Sequence, residues 1–291
     1  MRIVSLLPAA TEIVCALGLA DDLVGITDAC EVPDTAEPRV VARAADPRPG
    51  PGSVRLDVDD ALVAELRPDL ILVPDARSPG RPWAPSPGEP AGARRGAPTV
   101  VTLAPMTVEG ILHAIATIGA MTSAEDEALG LVEILRERLA DVEEVVVARR
   151  AAGHAPPRVV ALEWVDPPFA AGRWVPEQIR RAGGWDLLGR DGEAAARATW
   201  DAIGDVDPEM LLLMPRGADL AGALAAWSRM PRPPGWTGLH AVRRGQVFAL
   251  DAAYFGNPGP RVIDGIELLA ELFAPAGFVD IAPPGGWVPV E

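Results

Sequence analysis

Eight short stretches of this chain are apolar on both faces, and that pattern restricts the fold more than any other feature. They are Ile3–Leu7, Leu23–Thr27, Val40–Ala42, Leu70–Val73, Thr99–Leu103, Arg158–Glu163, Met210–Met214 and Gln246–Leu250. A strand with one wet face alternates apolar and polar residues. A run that is apolar throughout, bounded by Pro, Gly or Asp, is what a parallel strand covered by helices on both sides looks like. The segments between them supply such helices, with helical periodicity at Ala9–Leu17, Val58–Leu66, Thr107–Met121, Pro176–Ala182, Leu220–Met230 and Pro260–Phe273. Thr107, with Gly110 after it, and Asp57 ahead of its helix are the expected amino-terminal caps. The chain is therefore read as α/β, built from two Rossmann-like lobes with mainly parallel sheets.

The join between the halves carries its own signal. From Ala124 to Ala151 the apolar residues Ala128, Val132, Leu135, Leu139, Val142 and Val146 follow a 4-3-4-3-4 spacing that draws one stripe, with charged residues elsewhere. A helix of about 27 residues is about 40 Å long. That exceeds what either half needs for a crossover, so the segment is read as a spine joining the lobes. A coiled coil gives the same pattern, but the stripe runs for under about four heptads and has no partner segment. The expected organisation is a lobe over 1–122, the linking helix over 123–152, and a second lobe with an irregular tail over 153–291. Ser78 to Pro98, rich in Pro, Gly and Arg, reads as a surface loop.

Charge and composition exclude several functions. With 41 acidic against 26 basic side chains the net charge is −15, which does not suit a surface that tracks phosphates, so no nucleic-acid partner is expected. No apolar run approaches the length of a membrane span, so no membrane insertion is expected. Within Met1–Leu19, Pro8 and Glu12 break the apolar stretch, and Val14 stands before Cys15 where a lipid-attachment signal wants a small residue. That segment reads as strand and turn rather than leader, and a cytosolic location is expected. Cys15 and Cys30 are too few for a disulfide framework and match no zinc spacing. The histidines His113, His154 and His240 are not spaced for a metal or a triad, so no metal site is assigned. No nucleophile elbow, Walker loop or dinucleotide fingerprint is present. The acidic runs Asp57–Asp60 and Glu125–Glu127 are read as helix-start charge.

Two lobes joined by a stiff helix are expected to leave a cleft lined by the loops at the carboxyl ends of the strands. In the first half those loops hold Pro8 and Thr11, with Thr11 expected to cap a helix, then Asp28, Cys30 and Glu31, and later Trp83 in the Pro-rich loop. In the second half they hold Glu163, Trp164, Phe169, Arg173, Trp174, Trp200, Arg216, Tyr254 and Phe255. Of the aromatic residues eight are tryptophan and one is tyrosine, and their gathering on loops suits a large, flat, partly apolar ligand. Trp236 and Trp287 read as scaffold, and Trp185 as either. Asp28, Cys30 and Glu31 form a compact polar trio able to bind a cation or act on a ligand, with a solvated turn before Pro33 as the plainer account.

The segments Arg2-Ile-Val-Ser-Leu-Leu-Pro-Ala-Ala-Thr-Glu-Ile-Val14, Leu23-Val-Gly-Ile-Thr27, Arg67-Pro-Asp-Leu-Ile71, Trp164-Val-Asp-Pro-Pro-Phe-Ala-Ala-Gly172, Trp174-Val-Pro-Glu177, Ala182-Gly-Gly184 and Pro258-Gly-Pro-Arg261 resemble, in order, the cobalamin-type substrate-binding proteins of ABC importers. The resemblance implies two α/β lobes joined by one long helix, and a small-molecule ligand held between them. That ligand would be cobalamin or another corrinoid, with a haem or siderophore chelate less favoured. Carried over position by position, it implies a site of the Asp28–Glu31 loop, Phe169, Trp174, Trp200, Tyr254, Phe255 and Arg261, with Trp164 adding contact area and Asp28, Arg216 and Arg261 meeting polar groups. The chain departs from the pattern at Asp28-Ala-Cys-Glu-Val32, where many relatives carry His-Glu-Cys-Asp-Tyr, and at Arg77–Pro90, where they carry a Cys-rich loop. The exposed glutamates through which relatives dock on a permease have no counterpart near Gly80 or Val206, so docking on an ABC permease is not supported by the sequence. The alternative reading is an enzyme on the same lobes, acting on a small metabolite through Asp28, Cys30 and Glu31.

Overall fold

The computed structural model describes residues 1–44, 56–74, 83 and 97–290. The first apolar run becomes β1 (Ile3–Ser5), and the chain continues through α1 (Pro8–Ala16), β2 (Leu23–Thr27), β3 (Arg39–Ala44), β4 (Leu56–Val58), α2 (Asp60–Leu66), β5 (Leu70–Val73) and β6 (Thr99–Thr102). These strands form one sheet in the order β4-β3-β2-β1-β5-β6, parallel except for β4 against β3. Ile3 and Val4 of β1 are wholly inaccessible, as are Ile71 and Leu72 of β5, so the middle of the sheet is covered on both faces. Met1–Leu19 is thus an inner strand and a helix of the lobe.

Two expected caps move. Thr11 lies inside α1, whose N-cap is Leu7 with no side-chain bond. Pro8 starts that helix instead, since its missing N–H costs nothing in the first turn. Asp57 is a residue of β4, and Asp59 caps α2 by accepting from the Leu62 amide at 2.9 Å. The extra strand consumes Asp57 and shifts the helix start by two residues. The expected Thr107 cap is present, its hydroxyl accepting from the Gly110 amide at 3.0 Å. Trp83 donates from Nε1 to Asp60 Oδ1 at 2.8 Å and packs on the cluster of Val4, Val63 and Ile71, so it braces the first lobe. The remaining residues of the Pro-rich loop before Ala97 lie outside the described residues.

Next come α3 (Val108–Thr122) and α4 (Glu125–Ala151), the latter uninterrupted over 27 residues. Every residue of the stripe from Ala128 to Val146 is buried. Acidic residues occupy its first turn and Arg149 and Arg150 its last, in the sense the helix dipole favours. The two helices approach closely at Gly119, where a Cβ would overlap that of Ala128 and stand 2.8 Å from the Ala124 carbonyl oxygen. The compact units do not part at the helix ends. Leu112–Val132 belongs to the first, while Met106–Ile111 and the chain from Glu133 onward belong to the second.

The second lobe contains β7 (Arg158–Val165), β8 (Pro168–Ala170), α5 (Val175–Arg181), β9 (Trp185–Asp186), β10 (Ala196–Arg197), α6 (Trp200–Val206), β11 (Met210–Leu213), α7 (Leu220–Arg229), α8 (His240–Arg243), β12 (Val247–Leu250), α9 (Val262–Phe273) and β13 (Trp287–Pro289). Its sheet runs β10-β8-β7-β11-β12-β13, with β9 also on β7. The strands β7, β11 and β12 are parallel, whereas β8, β10 and β13 are antiparallel additions. All eight apolar runs are strands, and the long helix joins the two lobes. Trp236 packs against Trp227 at 4.8 Å and Trp287 against Phe248 at 5.3 Å, both as scaffold, while Trp185 is 58% exposed on β9.

Asp186 is an acid held where burial disfavours its charge. It is 8% exposed, Oδ1 accepts from the amides of Leu188 and Gly189 at 3.0 and 2.9 Å, and Oδ2 has no partner among the described residues. Burial raises its pKa to about 6, against the pull of those two amides. A raised carboxyl pKa gives stability that is complete below the unfolded value of 3.8 and lost as pH rises through about 6. Asp186→Asn, which keeps the acceptor, is expected to match the wild type at low pH and exceed it by about 3 kcal/mol at pH 7. Urea unfolding of both proteins across that window measures the difference, and parallel curves would refute the assignment.

Candidate functional site

In the second lobe β7 and β11 run parallel with Leu162 beside Leu213, so their carboxyl ends emerge together. The backbone stays joined beyond them, the Arg216 amide donating to the Glu163 carbonyl at 3.1 Å. Glu163 is 7% exposed, and its Oε2 accepts from Arg173 Nη2 at 2.9 Å. Arg173 follows β8 in the left-handed region at φ 57°, which costs a residue with a Cβ about 1 kcal/mol. Its amide donates to the Glu193 carbonyl at 2.5 Å and its carbonyl accepts from the Gly192 amide at 2.9 Å. Gly172 admits this turn, because a Cβ there would stand 2.6 Å from the Ala194 carbonyl carbon and 2.7 Å from the Ala195 Cα.

The ion pair is incomplete. Among the described residues Glu163 Oε1 and Arg173 Nε are buried without partners, although a buried polar atom left so costs about 1–3 kcal/mol. Burial pushes the Glu163 carboxyl up, with Arg173 and Arg216 opposing. Burial likewise draws the Arg216 guanidinium below its ordinary value, Arg173 adds to this, and Glu163 resists it. Two guanidiniums and one carboxylate leave a surplus positive charge in a poorly hydrated place.

The aromatics expected on loops divide. Trp164 ends β7 and pairs across the hairpin with Phe169 of β8, both partly exposed, and the Trp164 Nε1 donates to the Asp166 carbonyl at 2.9 Å. They stand on strands because β7 runs two residues beyond the apolar run and β8 turns straight back. Trp174 is 2% exposed and donates to the carbonyl of Phe255, itself 3% exposed, at 2.9 Å. These two residues fasten the start of α5 to the Ala252–Tyr254 turn. Trp200 opens α6 under its Thr199 cap, with its ring edge-on to Trp236 at 5.9 Å. Tyr254 is partly exposed, and burial pushes its hydroxyl pKa up, with Asp251 adding. Arg261 precedes α9 as its N-cap.

In the first lobe Thr11 is wholly buried. Its Oγ1 is 2.9 Å from Ser5 Oγ and 3.0 Å from Cys30 Sγ, and Thr27 Oγ1 is 3.2 Å from the same sulfur. Asp28 faces Arg43 across 3.6 Å, and Asp28 and Glu31 are exposed. Among the described residues no group of three or more His, Cys, Asp or Glu is placed to hold a metal ion, and no helix is long and apolar enough to cross a membrane. Sequence reasoning placed Glu163 and Arg173 on the cleft-facing loops but gave a ligand role only to Arg216. The available signal was a glutamate ending an otherwise apolar run and an arginine directly after a glycine.

A family model described as periplasmic binding protein matches residues 3–254. The chain is 26% identical over 287 residues to YvrC of Bacillus subtilis, an ABC transporter substrate-binding lipoprotein, covering 95% of this chain and 81% of the relative. It is 24% identical over 268 residues to a vitamin B12-binding protein of Vibrio cholerae, covering 91% and 86% of the two. Among solved structures, a periplasmic heme-binding protein from Pseudomonas aeruginosa superposes with TM-score 0.73 at 22% identity, over 94% of this chain and 93% of that one.

Proposed function

We propose that this chain, which belongs to the periplasmic binding protein family, captures a bulky metal chelate of the corrinoid or haem class. The observation that carries the proposal is the partly exposed aromatic pair Trp164 and Phe169 at the carboxyl end of β7. Flat apolar faces at the mouth of a parallel sheet recognise a wide planar ligand at little cost in side-chain entropy. Relatives described as binding vitamin B12 and heme support the same class. Nothing in the arrangement of Asp28, Cys30 and Glu31 favours the enzymatic alternative.

Titrating the protein with aquocobalamin and with haemin tests the reading. One of them is expected to change its visible spectrum on binding and to stabilise the fold by about 2.7 kcal/mol at a hundredfold excess over Kd. Trp164→Ala is expected to weaken that binding about tenfold, the loss of one well-packed aromatic contact. Neither a spectral change nor a thermal shift with either compound would overturn the proposal.

A further inference from the structure

The three charged side chains at the ends of β7, β8 and β11 are built for something the protein itself does not supply. Glu163 and Arg173 are bonded to each other through one oxygen and one nitrogen, while Glu163 Oε1 and Arg173 Nε are buried and unused by any described residue. Arg216, joined to the same strand end through its backbone, is partly buried and among the described residues its side chain has no hydrogen-bond partner. An arginine carries five donors and cannot shed its charge, so one in a dehydrated place calls for an acceptor. The surplus charge is positive, and the missing group is therefore an anion. The Arg173 backbone is held in a conformation that costs energy, and such strain persists where the side chain it aims has a use.

We propose that Glu163, Arg173 and Arg216 form an anion-accepting site that takes an ionised acidic group of the ligand onto the two guanidiniums, with Glu163 taking up a proton as the site fills. The proposal rests on the chelate reading above and narrows it to chelates with a carboxylate or similar group on their periphery. An incoming anion competes with the Glu163 carboxylate for Arg173 and repels it. Protonation removes that repulsion and turns Glu163 from acceptor into donor. The charged groups acting on Glu163 are Arg173, from the segment after β8, and Arg216, from the segment after β11. Both favour its ionised form when the site is empty, and an anion that neutralises them withdraws that support. The sign follows: where free Glu163 is ionised, binding consumes a proton, and affinity falls as pH rises, by up to about tenfold per unit.

Calorimetry with haemin and with haemin dimethyl ester, in which two ionisable carboxyl groups are replaced by neutral methyl esters, tests this in buffers of different ionisation enthalpy. Haemin is expected to bind about 10- to 100-fold tighter than the ester, with uptake of up to about one proton. In Arg216→Gln the gap is expected to collapse. In Glu163→Gln the proton uptake is expected to vanish while the preference for the acid remains. Should either variant misfold, the wild-type ratio and proton count still decide. Equal affinity for acid and ester without proton uptake would overturn the inference, leaving a water-filled structural ion pair. If haemin, its ester and aquocobalamin all fail to bind, the chelate reading fails, and benzoate decides the site by itself. A thermal shift in the wild type that Arg216→Gln lacks supports it, and no shift in either overturns it.

Discussion

Replacing Arg138 with alanine is expected to destabilise the protein by about 3 kcal/mol. Arg138 lies on α4 and meets two carboxylates of α9. Its Nε donates to Glu267 Oε1 at 2.9 Å, and its Nη2 donates to Glu267 Oε2 and Asp264 Oδ1, both at 2.5 Å. The bidentate fork matches the carboxylate geometry, which makes this stronger than a point-charge pair. The hydrogen bond to Glu267 is the largest cause raising the Arg138 pKa, so the guanidinium stays charged at every accessible pH. Arg138 itself is partly exposed, but the Glu267 side chain is only 8% so. The cost of the substitution is chiefly the buried charge left behind. It follows that the double variant Arg138→Met, Glu267→Leu should recover most of the loss. Urea unfolding of the two single variants and the double variant measures the coupling. Additive losses would show that the pair contributes little.

The second large effect is expected at Gly172, where alanine should cost about 3 kcal/mol and also impair binding. The obstruction at this position is backbone of the Ala194–Ala195 segment, which has no rotamer to yield. The hairpin and that segment would have to part, and the hydrogen bond between the Arg173 amide and the Glu193 carbonyl lies in the path. A shift there moves Arg173 away from Glu163. Thermal unfolding together with haemin affinity separates the outcomes. A stable protein with unchanged affinity would show that the turn tolerates a side chain and does not hold the site.

The parallel strands were legible because each is apolar on both faces, a pattern independent of its neighbours. The spine was legible because six buried residues from Ala128 to Val146 repeat at helical spacing, with seven charged residues among the positions between them. Short additions were not. The strands β9 and β10 have two residues each, too few for any period, and exist because a neighbouring strand edge offers partners. At the site the limits are different. Aromatic residue type gave the same signal for Trp164 and Phe169, which are partly exposed, as for Trp174 and Phe255, which are buried against each other. Composition does not distinguish an aromatic that meets a ligand from one that fixes a turn. The Glu163 and Arg173 pair depends on a left-handed residue and on a hairpin that folds residues 163 and 173 together, and neither is written in local spacing.

The interleaving of the two units along the chain bears on how the protein is made. Residues Met106–Ile111 belong to the second unit, and the amide of Val108 donates to Glu177 Oε2 at 2.8 Å, an oxygen that emerges 69 residues later. During vectorial synthesis the first lobe has all its strands by Thr102, yet the opening turn of α3 must wait for α5 before its leading amide is satisfied. Neither lobe can be obtained by a single cut in the gene, and a release of the nascent chain before Glu177 would leave that helix end bare.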